Sequence, residues 1–457
     1  MTVRIGWRLA ALAAAAWPAA HPATAGAADI CVNAERPACV ATIQEGIDAA
    51  EAGDRVIVAR ATYAEQVVVP AGKDGLVLRG SHGVEHDERV GDAVVIEGAT
   101  TGAGVGLTVE SANVTVENFL VRNTEGDGIA VAASATGTTL AELNVEAADG
   151  ACIAIAADDV TVFDVGLRSC ATGVSSTANG TRVLESRALF VGGDGVDITG
   201  DDAEVSLCGL RTLGGDGVSI VGDDAVVREN SVRHAAGRGV FVDGDGATVL
   251  RNRVLTAGDT GIDVRCQPGS CAGADVSRNR VDDVLRGDGI VVTADAAGAT
   301  VDDNRVRRAA LHAFELDAPS LSAADNRAVD SARADLGCFR LAGTGASLSG
   351  ASASGCNGGG IEVHGDGAAV NGARVDDTDG YGIKVAAGSG ATVSGSRSKA
   401  TLGSAFVVAA GVTGATVSNN RSKKARHDYC DAGTATVASG NRFTTTFDPM
   451  GGPCPGE

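Results

Sequence analysis

The chain has 457 residues and a formal net charge of −21 at neutral pH. Aromatic residues make up 3% of it, while glycine fills 64 positions. That is too few large side chains for one globular core of this length, but it suits a thin core built in layers. The acidity argues against a nucleic-acid partner, and no apolar run reaches the about 20 residues that span a bilayer.

Residues 1–27 read as a secretory signal peptide. Arg4 and Arg8 form its charged start, Leu9 to Trp17 its short apolar stretch, and Ala25-Gly26-Ala27 its cleavage site. The expected location is therefore extracellular or periplasmic, as a free protein. Residues 28–80 read as an N-terminal cap followed by the first strands. In Thr42 to Ala50, Thr42 and Glu45 form a capping box, and Ile43, Ile47 and Ala50 share one helical face.

Residues 81–447 are governed by repetition, and 448–457 read as a tail. Thirteen copies of one pattern run from Gly128 to Ala405, and Gly195, Gly217, Gly239 and Gly261 are each 22 residues apart. A period of this size specifies a solenoid. Residues 239–260 show its grammar. Gly239-Val240-Phe241-Val242 is a strand, Asp243 to Gly246 a turn, Ala247 to Leu250 a second strand, Asn252 a bend, and Arg253-Val254-Leu255 a third strand. Repeat glycines serve the turn. Asn230, Asn252, Asn279, Asn304, Asn326 and Asn420 recur at the bend, where asparagine tolerates left-handed backbone and can form a stacked amide ladder.

Ten of the 11 cysteines pair by position. Cys152–Cys170 and Cys338–Cys356 share a spacing of 18 at a common repeat phase, and Cys31–Cys39, Cys266–Cys271 and Cys430–Cys454 are local pairs. Cys208 is left over, as a buried thiol or an intermolecular link.

This strand–turn grammar, asparagine column and coil length resemble the right-handed parallel β-helix proteins of the pectin-lyase-like fold, over about residues 43–447. The fold class expected is all-β: a right-handed parallel β-helix of three-strand coils with a short N-terminal capping helix. At roughly 4.8 Å per coil the stack should be about 60–80 Å long. The resemblance implies that the strand before the Asp-Gly turn belongs to the sheet that carries polysaccharide-cleaving sites. There the second and fourth residues after the repeat glycine point outward. Glu315, Arg340, Glu362 and Lys384 then stack in one column, with Asp317 and His364 beside them and Asp263 and Arg265 two coils earlier.

Lyases and epimerases of uronic acids need a cation to neutralise the carboxylate and a base to take the adjacent proton. Arg340, Lys384 or His364 could be that base, with Glu315 and Glu362 as catalytic carboxylates and Asp263, Arg265 and Asp317 contacting substrate. An alternating salt-bridge ladder is the competing reading of the same column. A second column, Asp201, Asp223 and Asp245 in the first turn, offers carboxylates to Ca²⁺ or simply faces water as turn residues. A third column is basic: Arg251, Arg253, Arg278, Arg280, Arg305, Arg307, Arg308 and Arg327 flank the asparagine bend, to track a polyanion or to balance the aspartates. His234 and His312 lie near turns, and His427-Asp428-Tyr429 reads as a surface segment.

The motifs of polygalacturonases, pectate lyases, alginate epimerases and pectin esterases are missing, and both tryptophans, Trp7 and Trp17, lie in the leader. The expectation is a secreted, monomeric protein that binds, and cleaves or epimerises, an acidic polysaccharide or cell-surface glycan. No cofactor is required, Ca²⁺ being the ion its carboxylates could take. The alternative is a non-catalytic adhesion or scaffold solenoid.

Overall fold

A computed structural model describes residues 27–81, 93–98, 104–266, 273–293, 296–443 and the backbone of 446–447. Residues 1–26 of the leader, and Cys271 and Cys454, lie outside them. The chain coils through three parallel sheets. Sheet 1 holds the strands after the repeat glycine, sheet 2 those after the first turn, and sheet 3 those after the asparagine bend. In the coil read above these are Val240–Asp243, Thr248–Leu250 and Arg253–Val254. Each strand pairs in parallel with its counterpart one coil on, as in Phe241↔Asp263, Val249↔Val276 and Arg253↔Arg280. Sheet 2 has 18 strands, which at the usual strand spacing gives a stack of about 80 Å.

Inward-facing Val, Ile, Leu and Ala form one continuous core along the stack. Its N-terminal end is covered by a helix, Ile43–Ala49, with Thr42 and Glu45 closing the capping box and Ile43 and Ile47 buried. At the other end Phe406, Tyr429 and Phe443 cluster, with ring centroids 5.3 and 5.4 Å apart. His427–Asp431 is thus a strand of sheet 1 with Asp428 and Tyr429 buried, not a surface segment.

The asparagine column does form a ladder, but its backbone differs from expectation. The residue before each asparagine, such as Glu229, Arg251 or Arg278, takes the left-handed conformation. The asparagines themselves are buried and spend their amides on neighbouring coils. Asn252 N donates to Asn279 Oδ1 at 2.8 Å, and Asn279 N donates to Asn304 Oδ1 at 2.8 Å. The repeat glycines also have another cause than a left-handed turn. A Cβ on Gly239 would lie 2.5 Å from the Gly261 carbonyl oxygen and 2.5 Å from Val254, so glycine is needed for close approach of coil to coil.

Disulfides Cys31–Cys39, Cys152–Cys170 and Cys338–Cys356 are formed. Cys430 is also disulfide-bonded. Cys208 occupies the asparagine column, where its N–H donates to Asn230 Oδ1. Burial pushes its thiol up to about 12, although hydrogen bonds from the Ser186 and Ser206 backbone oppose this.

Two measurements test these assignments. Asn279→Ala leaves two buried donors of Asn252 without their acceptor, so denaturant unfolding should show a loss of about 2–4 kcal/mol. Cys208 should resist alkylation in the native protein and react only after unfolding, read by peptide mass spectrometry.

Candidate functional site

The outer face of sheet 1 brings the predicted column together in strict register: Glu315↔Arg340, Arg340↔Glu362 and Glu362↔Lys384. Beneath it the core changes character. Phe314 and Phe339, the inward neighbours of Glu315 and Arg340, stack with centroids 4.7 Å apart. These two flat rings give the charged residues above them a rigid base.

Arg340 is clamped. Its Nη1 donates to Glu315 Oε1 at 2.9 Å and to Asp317 Oδ1 at 2.6 Å. Burial opposes the guanidinium charge, but the Asp317 hydrogen bond and the carboxylates of Asp317, Glu315 and Glu362 more than restore it. Glu315 is held above the usual carboxylate range, first by burial and then by the charges of Asp288 and Asp317. Glu362 behaves oppositely. Burial pushes its carboxyl up, but His364 and Tyr381 as hydrogen-bonding partners, with the charges of His364 and Lys384, bring it below the ordinary value. His364 Nε2 lies 3.6 Å from Glu362 Oε2, and Lys384 sits over the Tyr381 ring, 5.4 Å from its centroid.

Two members of this cluster were not expected from the sequence. Asp288 and His312 stand one residue before the repeat glycine position, as does Tyr381. Their phase is the signal that could have found them. In this column the aspartates accept the backbone N–H of the next coil, Arg238 N to Asp216 Oδ1 at 2.6 Å and His312 N to Asp288 Oδ1 at 2.7 Å. Asp288 Oδ1 also lies 3.0 Å from His312 Nδ1. Asp288, His312 and Glu315 present three ligand atoms within 4.8 Å of one another. Imidazole suits a transition ion better than Ca²⁺, and the Arg340 guanidinium already occupies Glu315.

Asp263 and Arg265 are joined to each other. Arg265 grips Asp263 with two hydrogen bonds, of 3.1 and 2.7 Å, while Arg238 approaches it at 3.6 Å and covers the Phe241 ring at 3.4 Å from the centroid. Asp263 is consequently 2% exposed. The first-turn aspartates stand apart, between sheets 1 and 2. Asp223 N donates to Asp201 Oδ1 at 2.9 Å and Asp245 N to Asp223 Oδ1 at 2.8 Å. One oxygen of Asp201 and of Asp223 is thus committed to the backbone. Near them an open acidic depression of about 480 Å³, lined by Asp158, Asp159, Asp202, Glu204 and Arg182, lies away from the sheet 1 cluster.

Residues 172–320 match a family model described as a right-handed β-helix region. No curated protein matches. Among solved structures, the pectate lyase Pel9A is 13% identical, covering 55% of this chain and 79% of its own, with a TM-score of 0.35. A PL6 alginate lyase in complex with a trisaccharide is 9% identical over 92% of this chain and 86% of its own, at 0.42. The receptor-binding domain of the siphovirus 9NA tailspike is 11% identical over 93% and 77%, at 0.34. The described residues form a right-handed parallel β-helix, the architecture that the family model names. Likeness at these identities concerns the fold alone.

The Glu362 environment makes a pH prediction. Its folded pKa lies below its unfolded value, so its ionised form is favoured by folding. The stability it contributes is present above the unfolded value, about 4.3, and is lost as pH falls through the folded value. The stability difference between wild type and Glu362→Gln should therefore hold at neutral pH and shrink under acid, measured by denaturant titration across that range.

Proposed function

We propose that this protein is an exported β-helix that binds an acidic polysaccharide across the outer face of sheet 1 from Asp263 to Lys384, and cleaves or epimerises the bound uronate there. One observation carries the reading. Asp288, His312 and Glu315 gather three ligand-type atoms within 4.8 Å of one another at the edge of the Glu315–Lys384 column, and His312 Nε2 is a buried polar atom without a hydrogen-bond partner. An unmet buried polar group costs about 1–3 kcal/mol, and a sugar hydroxyl or carboxylate entering beside His312 would supply the partner that Nε2 lacks.

The chemistry assigns roles to residues. Arg340, kept charged by Glu315 and Asp317, neutralises a substrate carboxylate by exchanging one of its partners. That same clamping disfavours Arg340 as the base. His364, partly exposed and oriented by Glu362, accepts the proton beside the carboxylate, and Tyr381 and Lys384 frame the opposite side. No step requires a metal. Oxygens of Glu315 and Asp317 are taken by Arg340, so a Ca²⁺ ion would have to displace the guanidinium. Export is supported by the three disulfides, which persist in oxidising compartments. Among the described residues no helix is long and apolar enough to cross a membrane.

A non-catalytic adhesion or scaffold solenoid is the second reading. It is favoured by the closure of Asp263 between Arg265 and Arg238, which leaves that carboxylate no free edge for a ligand.

The test is incubation of the mature protein with a panel of uronate polymers, with and without Ca²⁺. Ultraviolet absorbance would detect unsaturated chain ends, and NMR would detect epimerisation. Activity is expected on at least one polymer, and His364→Ala should lower it roughly a hundredfold or more. Absence of both activity and retention on every polymer would reject the proposal, and retention alone would select the scaffold reading.

A further inference from the structure

Sheet 3 carries an arginine column that the sheet 1 site does not use. Registers Arg253↔Arg280, Arg280↔Arg305 and Arg305↔Arg327 continue through Ser352 to Arg374, Arg397, Arg421 and Arg442. Eight arginines and one serine thus stand on nine successive coils, a track of about 40 Å at the usual strand spacing. Of the eight, only Arg280 has a carboxylate partner among the described residues, Asp282 at 2.7 Å.

Like charges directly opposite in a ladder destabilise it. Arg211 and Arg233 also face each other in sheet 3, but other ladder arginines are matched by carboxylates. Arg79 meets Glu117 at 3.0 Å, Arg122 meets Glu97 at 2.6 Å and Arg228 meets Glu204 at 2.7 Å, each pair on neighbouring coils. With 58 acidic residues in the chain, a column in which seven of eight arginines are left unpaired invites another source of negative charge. Two further features mark this strip. Arg305 Nε has no acceptor, whereas Arg307 beside it lies 3.8 Å from Asp282. Lys399 and Lys423 stand two residues beyond Arg397 and Arg421 in the same strands, widening the basic strip.

We infer that the sheet 3 arginine column is a binding track for a linear anionic polysaccharide lying along the solenoid axis. Guanidinium groups repeat about every 4.8 Å, one per coil. This suits a chain that offers one carboxylate or sulfate per sugar, each held by a charge-assisted hydrogen bond. Single-stranded nucleic acid would want aromatic platforms for its bases. In the strands that carry these arginines the other outward residues are Asp, Arg, Val, Ser and Lys. The net charge of −21 repels polyanions at long range, but screening limits that to about 8 Å at physiological salt. The track therefore acts at contact distance.

Serine at Ser352 shows that the position tolerates a small side chain. The mature protein and its fourfold variant Arg327→Ser, Arg374→Ser, Arg397→Ser, Arg421→Ser can be compared for binding to polygalacturonate, heparin, neutral dextran and a single-stranded DNA oligonucleotide at fixed low salt. Polygalacturonate or heparin affinity should fall at least tenfold in the variant, with a shallower salt dependence and an unchanged or higher melting temperature. Ser352→Arg, which completes the column, should raise affinity severalfold.

Affinity within twofold of wild type in both variants would overturn the inference, and so would equal binding of dextran. Tighter binding of DNA than of either glycan would overturn the assignment of the ligand. The sheet 1 variant Arg340→Ser separates the two faces. If it abolishes glycan binding while the fourfold variant keeps it, the track fails and the sheet 1 proposal stands. If it leaves glycan binding intact and the wild-type protein processes no uronate, the sheet 1 proposal fails alone.

Discussion

Stacking of coil on coil in exact register is the constraint on which everything else in this protein depends, "exact" in the sense that each residue faces its own counterpart. Adjacent strands are about 4.8 Å apart, so every side chain has nearest neighbours at the same phase of the repeat. A residue type is therefore admissible in a column only if it tolerates itself, or alternates with a complement. Valine, isoleucine and alanine satisfy this in the core by close packing. Asparagine satisfies it because its amide both donates and accepts, so Asn252 can receive from one coil and give to the next. Aspartate in the turns satisfies it differently, by turning one carboxylate oxygen to a backbone N–H of the following coil. The repeat glycines answer a still tighter demand, since any Cβ there would strike the next coil's carbonyl oxygen.

This explains why so much of the fold was legible. Periodicity located the three strands and the disulfides Cys152–Cys170 and Cys338–Cys356, because a solenoid turns sequence phase directly into spatial neighbourhood, while the Thr42–Glu45 capping box and its apolar face located the helix. The column Glu315–Arg340–Glu362–Lys384 was readable for the same reason. What periodicity could not supply was the physical reason for a column. Left-handed backbone was assigned to the asparagines, yet it belongs to the residue before them, because the asparagine must keep its amide aligned with the stack. His312 and Asp288 lie outside the outward-facing positions of the strand, which are the positions that the alternation of the repeat marks. These two sit at the strand's entry, one residue before the repeat glycine position, where Asp127, Asp194 and Asp216 accept a backbone N–H of the next coil.

The same principle separates structural charge from charge that needs explaining. At Arg340 the alternation is complete: a guanidinium between carboxylates, with two of its partners within hydrogen-bonding distance. Such a ladder is self-sufficient, and nothing about Arg340 alone calls for a ligand. What marks the cluster is its margin. His312 retains a buried ring nitrogen that the ladder does not satisfy, and Glu315 and Glu362 are driven in opposite directions from the ordinary carboxylate range by their surroundings. Two carboxylates on one face, held apart in protonation behaviour, are the arrangement that acid–base chemistry uses.

Sheet 3 breaks the rule outright. Its arginines neither alternate with carboxylates nor share an interaction that would make a guanidinium column self-tolerant, and the protein has the acidic residues to pair them. A solenoid magnifies such a choice, because an unfavourable pair of neighbours is repeated at every coil instead of occurring once. In a globular protein one unpaired surface arginine would mean little, since exposed charges are worth little either way. Repeated in register along about 40 Å, the same residue becomes a linear charge density, and a linear charge density is matched by a linear counter-charge. The geometry that makes the fold stable, one identical step per coil, is also what would let a polymer with its own regular step be held along it.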